Sequence, residues 1–200
     1  YRCARYRYET SVTAGTIFQD TRKPLWLWFR AMWHLTSQKY GANALGLQRV
    51  LDLGCYETAW MWLHKLRRAM VRPGRERLSG TVQVDEIYIG GEKPGKRGRG
   101  AAGKALVVFM VEVKEGKIGR IRLRRVPNAS GPGLEGAVRE GVEPGSIVHT
   151  DGWGGYSGLS ELGYAHEVVR KEAACGRNLL PMVNRVVALL KRWLLGTYQG

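Results

Sequence analysis

The chain has 200 residues, 44% of them hydrophobic, and a net charge of +15 from 32 Lys and Arg against 17 Asp and Glu. That length and apolar share exclude a disordered chain and allow one substantial core, or a core with a small satellite domain. The charge favours a polyanionic partner; no apolar run reaches the length of a membrane span and no signal peptide is visible, so nucleic acid is expected and a membrane is not.

Residues 1–20 are polar and aromatic, with Gly15 as a breaker. In 24–36, Leu25, Trp28, Met32 and Leu35 recur at helical spacing, and Pro24 suits a first helical position. Residues 43–51 read as a second short helix, DLGC as a turn, and 56–70 as a longer helix carrying Lys65, Arg67 and Arg68 near its end. Helix, short Gly-containing turn, helix is the helix-turn-helix pattern, so 21–72 is read as a DNA-docking region; a plain helical hairpin is the alternative. The Trp residues at 26, 28, 33, 60 and 62 are expected in its core.

Residues 73–80 form a linker rich in Gly and charge, and the character then changes. Residues 81–89 alternate as a strand, with Val82, Val84, Ile87 and Ile89 apolar. Residues 105–113 and 118–126 read as a hairpin about the turn Glu115–Gly116. A short helix over 133–142, strands over 146–150 and 164–169, and an amphipathic helix over 178–195 complete an α/β domain from 81 to 200.

Asp85 interrupts the first strand, where a carboxylate has poor strand propensity and is costly to bury unless paired or metal-bound. Glu86 should point to the opposite sheet face. Asp151 ends an apolar strand before the turn GWGGY, where it could also make a helix N-cap or an Asx turn. His149, two residues earlier and on the same strand face, is read as a satisfied core residue, with a supporting role behind the Asp151 site as the alternative. Asn184 and Lys191 are seven residues apart on the last helix, so both side chains point the same way, about 10 Å apart. Asn can give a carbonyl oxygen to a hard cation, and Lys can hold a phosphate as a point charge. Two carboxylates at strand ends on a strongly basic chain point to metal-assisted chemistry on nucleic acid.

The loop 92–104 is basic and Gly-rich. Gly98 to Lys104 nearly matches the phosphate-loop pattern, but position 105 is Ala in place of the metal-binding hydroxyl, and a strand follows where a helix is required. Lys96, Arg97, Arg99 and Lys104 are read instead as contacts to DNA backbone, with a bare hairpin linker as the alternative. Three widely spaced cysteines, Cys3, Cys55 and Cys175, make no disulfide framework and fit a reducing cytoplasm. Cys3 alone makes no zinc site, so Zn²⁺ is not expected. The chain starts at Tyr1 without Met and stops at Gly200 straight after a helix-like segment, as a fragment would.

The segments SVTAGTIFQDTRKPL, TAWMWLHKLRRAM, VDEIYIGG, HTDGWGGY and NRVVALLKRWLLGTYQG, in this order and spacing, resemble the transposases of bacterial insertion sequences, in particular the ISXO2-like transposase domain group. The resemblance implies a ribonuclease-H-like α/β fold, a mixed sheet with flanking helices, after the small helix-turn-helix region. It implies that Asp85 and Asp151 are the first two catalytic residues, Asn184 the third metal ligand and Lys191 the downstream Lys of the signature. Mg²⁺ or Mn²⁺ would be the cofactor, and double-stranded DNA, transposon ends and target, the partner. A DNA-bound homodimer in the bacterial nucleoid is implied too. The family's zinc ribbon is represented in 1–20 only by its tail, with Tyr6 where a Cys is expected, and the family's Arg-rich C-terminal segment lies beyond the chain. Two-metal cleavage and joining of insertion-sequence ends is the function expected. A related metal-dependent nuclease, a DNA-binding regulator without catalysis and an inactive transposase remnant are the competing readings.

Overall fold

The computed structural model describes residues 2, 4–7, 9–72, 74–90, 103–169 and 179–198. The chain divides into two compact units, one of Tyr1–Gly74 with Arg192–Gln199, the other essentially Arg75–Lys191.

The first unit contains three helices, α1 (Leu25–Ser37), α2 (Ala44–Leu51) and α3 (Tyr56–Met70). Trp28 and Trp62 stack with ring centroids 3.8 Å apart, and Phe18 meets Trp28 edge-on. The Trp28 indole N–H donates to Thr21 Oγ1 at 2.9 Å, so the buried ring keeps a polar partner. Asn43 caps α2 by accepting from the Gly46 amide at 2.7 Å, and Asp52, with φ of 51°, ends it in the left-handed region. The expectation that all five Trp enter the core is corrected. Trp28 and Trp62 do, whereas Trp26, Trp33 and Trp60 are 54%, 75% and 49% exposed. The buried stripe of α1 runs through Leu27, Trp28, Ala31 and Leu35. Trp26 and Trp33 fall outside it, and a short helix in a small unit buries one face only.

The second unit is built on a five-stranded mixed sheet in the order β3-β2-β1-β4-β5. Its strands are β1 (Thr81–Ile89), β2 (Ala105–Lys114), β3 (Lys117–Val126), β4 (Ile147–Thr150) and β5 (Ala165–Val168). The first three form an antiparallel meander, and β4 and β5 run parallel to β1. The β2–β3 turn places Glu115 and Gly116 at φ of 50° and 72°, the pair of positive values that a tight hairpin turn needs. Helix α4 (Gly131–Gly141) lies in the β3–β4 connection, a 3₁₀ segment (Gly154–Leu159) follows β4, and α5 (Pro181–Tyr198) comes last.

Alternation along β1 sorts its side chains between two cores. Val82 and Val84 enter the core on one face, with Leu134 and Val138 of α4 and Tyr156. Ile87 and Ile89 pack on the other face against Phe109, Val111 and the Val183, Val186 and Val187 side of α5. Within β1, Val82–Val84 are buried and Asp85–Ile89 only half-buried, so a polar residue in the buried stretch must find partners within the protein.

Candidate active site

Asp85 stands in the central strand, half-buried, on the face turned towards α5. Its strand partner Phe109 belongs to that core, as does Ile87 two residues on. The β1–β4 ladder pairs Thr81 with Ile147, Val82 with Val148 and Gln83 with His149. The ladder ends there; the same offset carried two residues further would set Asp85 level with Asp151. Asp151 is the first residue past β4 and is exposed. Its Oδ1 accepts from the Trp153 amide at 3.0 Å, which is the Asx turn. Gly152, at φ of 81°, lets the chain turn away, and a Cβ there would meet Val168 at 2.5 Å.

The buried Tyr156 hydroxyl is held well above its usual pKa, chiefly by burial, then by the Glu86 carboxylate, to which it donates at 2.8 Å, and then by the charges of Asp85 and Asp151. One hydroxyl therefore feels all three carboxylates. Glu86 points to the α4 face, away from its neighbour Asp85.

Asn184 is half-buried in the first turn of α5. Its Nδ2 donates to Leu180 O at 3.1 Å, which engages the amide nitrogen within the helix start. Lys191 is exposed, two turns further along the stripe that holds Asn184 and Val187. Among the described residues, no three His, Cys, Asp or Glu side chains gather into a group that could hold a metal.

His149 differs from the core residue expected: it is half-buried and its Nε2 lies 2.9 Å from Glu167 Oε2 of β5. Gln83, which the sequence reading passed over, is buried and bonded to the start of α5. A polar residue between two valines of a central strand was the available signal.

The basic residues expected at DNA separate into groups. Lys65 and Arg68 are exposed on α3. The Arg67 guanidinium instead donates to Ala42 O at 2.7 Å and lies over the rings of Trp193 and Tyr198, all within the first unit. Lys104 is half-buried just before β2, and Lys96, Arg97 and Arg99, like Cys3 and Cys175, lie outside the described residues. Among the described residues, no helix is long and apolar enough to cross a membrane.

Residues 77–200 match the family model of the ISXO2-like transposase domain, well over half of the chain and all of β1 to α5. No curated protein matches the chain.

Proposed function

The chain belongs to the ISXO2-like transposase family, and on that footing we propose that it cleaves and joins DNA at insertion-sequence ends, using Asp85, Asp151 and Asn184 as metal-holding residues. The observation that supports this reading is the β1–β4 register, whose pairs end at Gln83 with His149 and whose extension would bring Asp85 level with Asp151. The strand order 3-2-1-4-5, with a meander followed by two parallel strands, supports reading the second unit as ribonuclease-H-like.

The donor chemistry fits Mg²⁺ or Mn²⁺. These are hard cations that take oxygen ligands, and Mg²⁺ keeps several waters, needing only one or two carboxylates beside substrate phosphates. Once bound, the ions would activate a water or a 3′-hydroxyl and stabilise the leaving oxygen of an in-line displacement at phosphorus. The chain's own part is placement. Asp85 is held by a strand paired on both sides. Asp151 is held by its Asx turn. Asn184 presents an amide oxygen where a third carboxylate would add negative charge. Lys191 offers a point charge to a phosphate. We assign no ligand role to Glu86, which Tyr156 retains on the opposite face.

The same reading gives α2 and α3, with their short turn, the task of docking on the element's ends, Lys65 and Arg68 contacting phosphates. Two ends must be brought together, so a homodimer on DNA belongs to the proposal.

A strand-transfer assay tests it. The full chain is incubated with Mg²⁺, a duplex carrying the element's end and a target plasmid. Joined product is expected. Cleavage without joining would favour a nuclease, and DNA binding with neither step would favour a regulator or an inactive remnant.

A further inference from the structure

Gln83 occupies the centre of the sheet between Val82 and Val84 and is only 8% exposed. Its Oε1 accepts from the Met182 amide at 3.0 Å and from the Val183 amide at 3.4 Å, partners 99 and 100 residues away in the chain.

Those two amides belong to the set at a helix start that has no acceptor inside the helix. The amides from Pro181 to Asn184 can be taken in turn. Pro181 has no N–H. The Asn184 amide donates to Leu180 O at 3.0 Å. Leu180, in the capping position, has an apolar side chain and can accept nothing through it. The remaining two donors both go to Gln83. The cap of α5 is therefore supplied by a strand, where a cap usually comes from the preceding residue.

The location of this cap gives it a consequence. Asp85 lies two residues beyond Gln83 on the same face of β1, and Asn184 directly follows the amides that Gln83 binds. We propose that Gln83 is a positioning residue: it fixes the first turn of α5 on β1 and so sets the Asn184 amide against Asp85 for metal binding. This rests on the metal-holding role of Asp85 and Asn184 proposed above. A Leu of similar size would preserve the packing but leave two buried N–H groups without an acceptor.

The test uses the full chain and two readouts, hydrogen exchange of the Met182 and Val183 amides and Mn²⁺ affinity from the paramagnetic signal of the free ion. In the wild type both amides should exchange as slowly as those of β1. Gln83→Leu should speed their exchange about tenfold and weaken Mn²⁺ binding about tenfold, the low end for residues that orient metal ligands. Gln83→Glu keeps an acceptor and should restore both. Free exchange of the two amides in the wild type overturns the inference without any variant having to fold. So does a Gln83→Leu chain that binds Mn²⁺ as tightly as the wild type. Asp85→Asn separates the two levels. If it too binds Mn²⁺ normally, the metal assignment itself is wrong. If it loses binding while Gln83→Leu does not, only the role of Gln83 falls.

Discussion

Asp151 stands 66 residues after Asp85 (151 − 85 = 66), and the β1–β4 ladder pairs residues with that same offset, Thr81 with Ile147 (147 − 81 = 66). Carried past its last pair, Gln83 with His149, that offset would bring Asp85 and Asp151 level on neighbouring strands.

Asp85→Ala and Asp151→Ala should each lower DNA cleavage about a thousandfold, since metal-derived stabilisation of the reacting oxygens is worth several kcal/mol. Asp151→Ala should also cost about 1 kcal/mol of stability, through the lost Asx-turn hydrogen bond from the Trp153 amide. Single-turnover cleavage beside a thermal melt checks both halves.

Asn184→Asp restores a third carboxylate and should tighten Mn²⁺ binding, whereas Asn184→Ala should weaken it, each by about tenfold. Titration of Mn²⁺ into the three proteins reads the order directly. Equal affinities for Asn and Ala would remove Asn184 from the metal-holding set.

Arg67 should behave unlike its neighbours. Lys65→Ala and Arg68→Ala should weaken DNA binding and lower the salt slope of log K by about one each, without affecting folding. Arg67→Ala should cost about 1–2 kcal/mol of stability, through its hydrogen bond to Ala42 O and its packing over Trp193 and Tyr198. Salt-dependent binding and denaturant melts on the same proteins separate the two effects.

Glu112 is fully buried in β2, and the Arg120 guanidinium beside it, 2.8 Å away, is the main cause of a pKa lowered to about 2 against the burial that opposes it. A carboxylate depressed in the folded state stabilises above its unfolded pKa, near 4.5, and loses that contribution as pH falls towards 2. Glu112→Gln should therefore flatten the acid limb of the stability curve between about pH 4.5 and 2. Melts over that range should show wild type and variant converging at the acid end.

Much of this architecture could be read from the residues. The alternation of Val82, Val84, Ile87 and Ile89 and the Glu115–Gly116 turn carried the strands, because period and turn chemistry are local properties. The ends of β4 and α5 were also close, which placed Asp151 and Asn184 on the right elements. What escaped was set by tertiary context. Gln83 looks like any strand residue until β1 is seen to be covered on both faces. The exposure of Trp26 and Trp33 depends on which stripe of α1 meets α3, a choice that helical spacing alone does not make when both stripes are apolar. The contact between His149 and Glu167 depends on β5 lying beside β4, which no local pattern specifies.

The most direct measurement is Mn²⁺-dependent nicking of supercoiled plasmid by the full chain, beside Asp85→Asn and Asp151→Asn, each of which removes one charge and little volume. The account predicts nicking by the wild type that disappears with chelator and in both variants. Undiminished nicking by either variant, or nicking that survives removal of divalent cations, would contradict it.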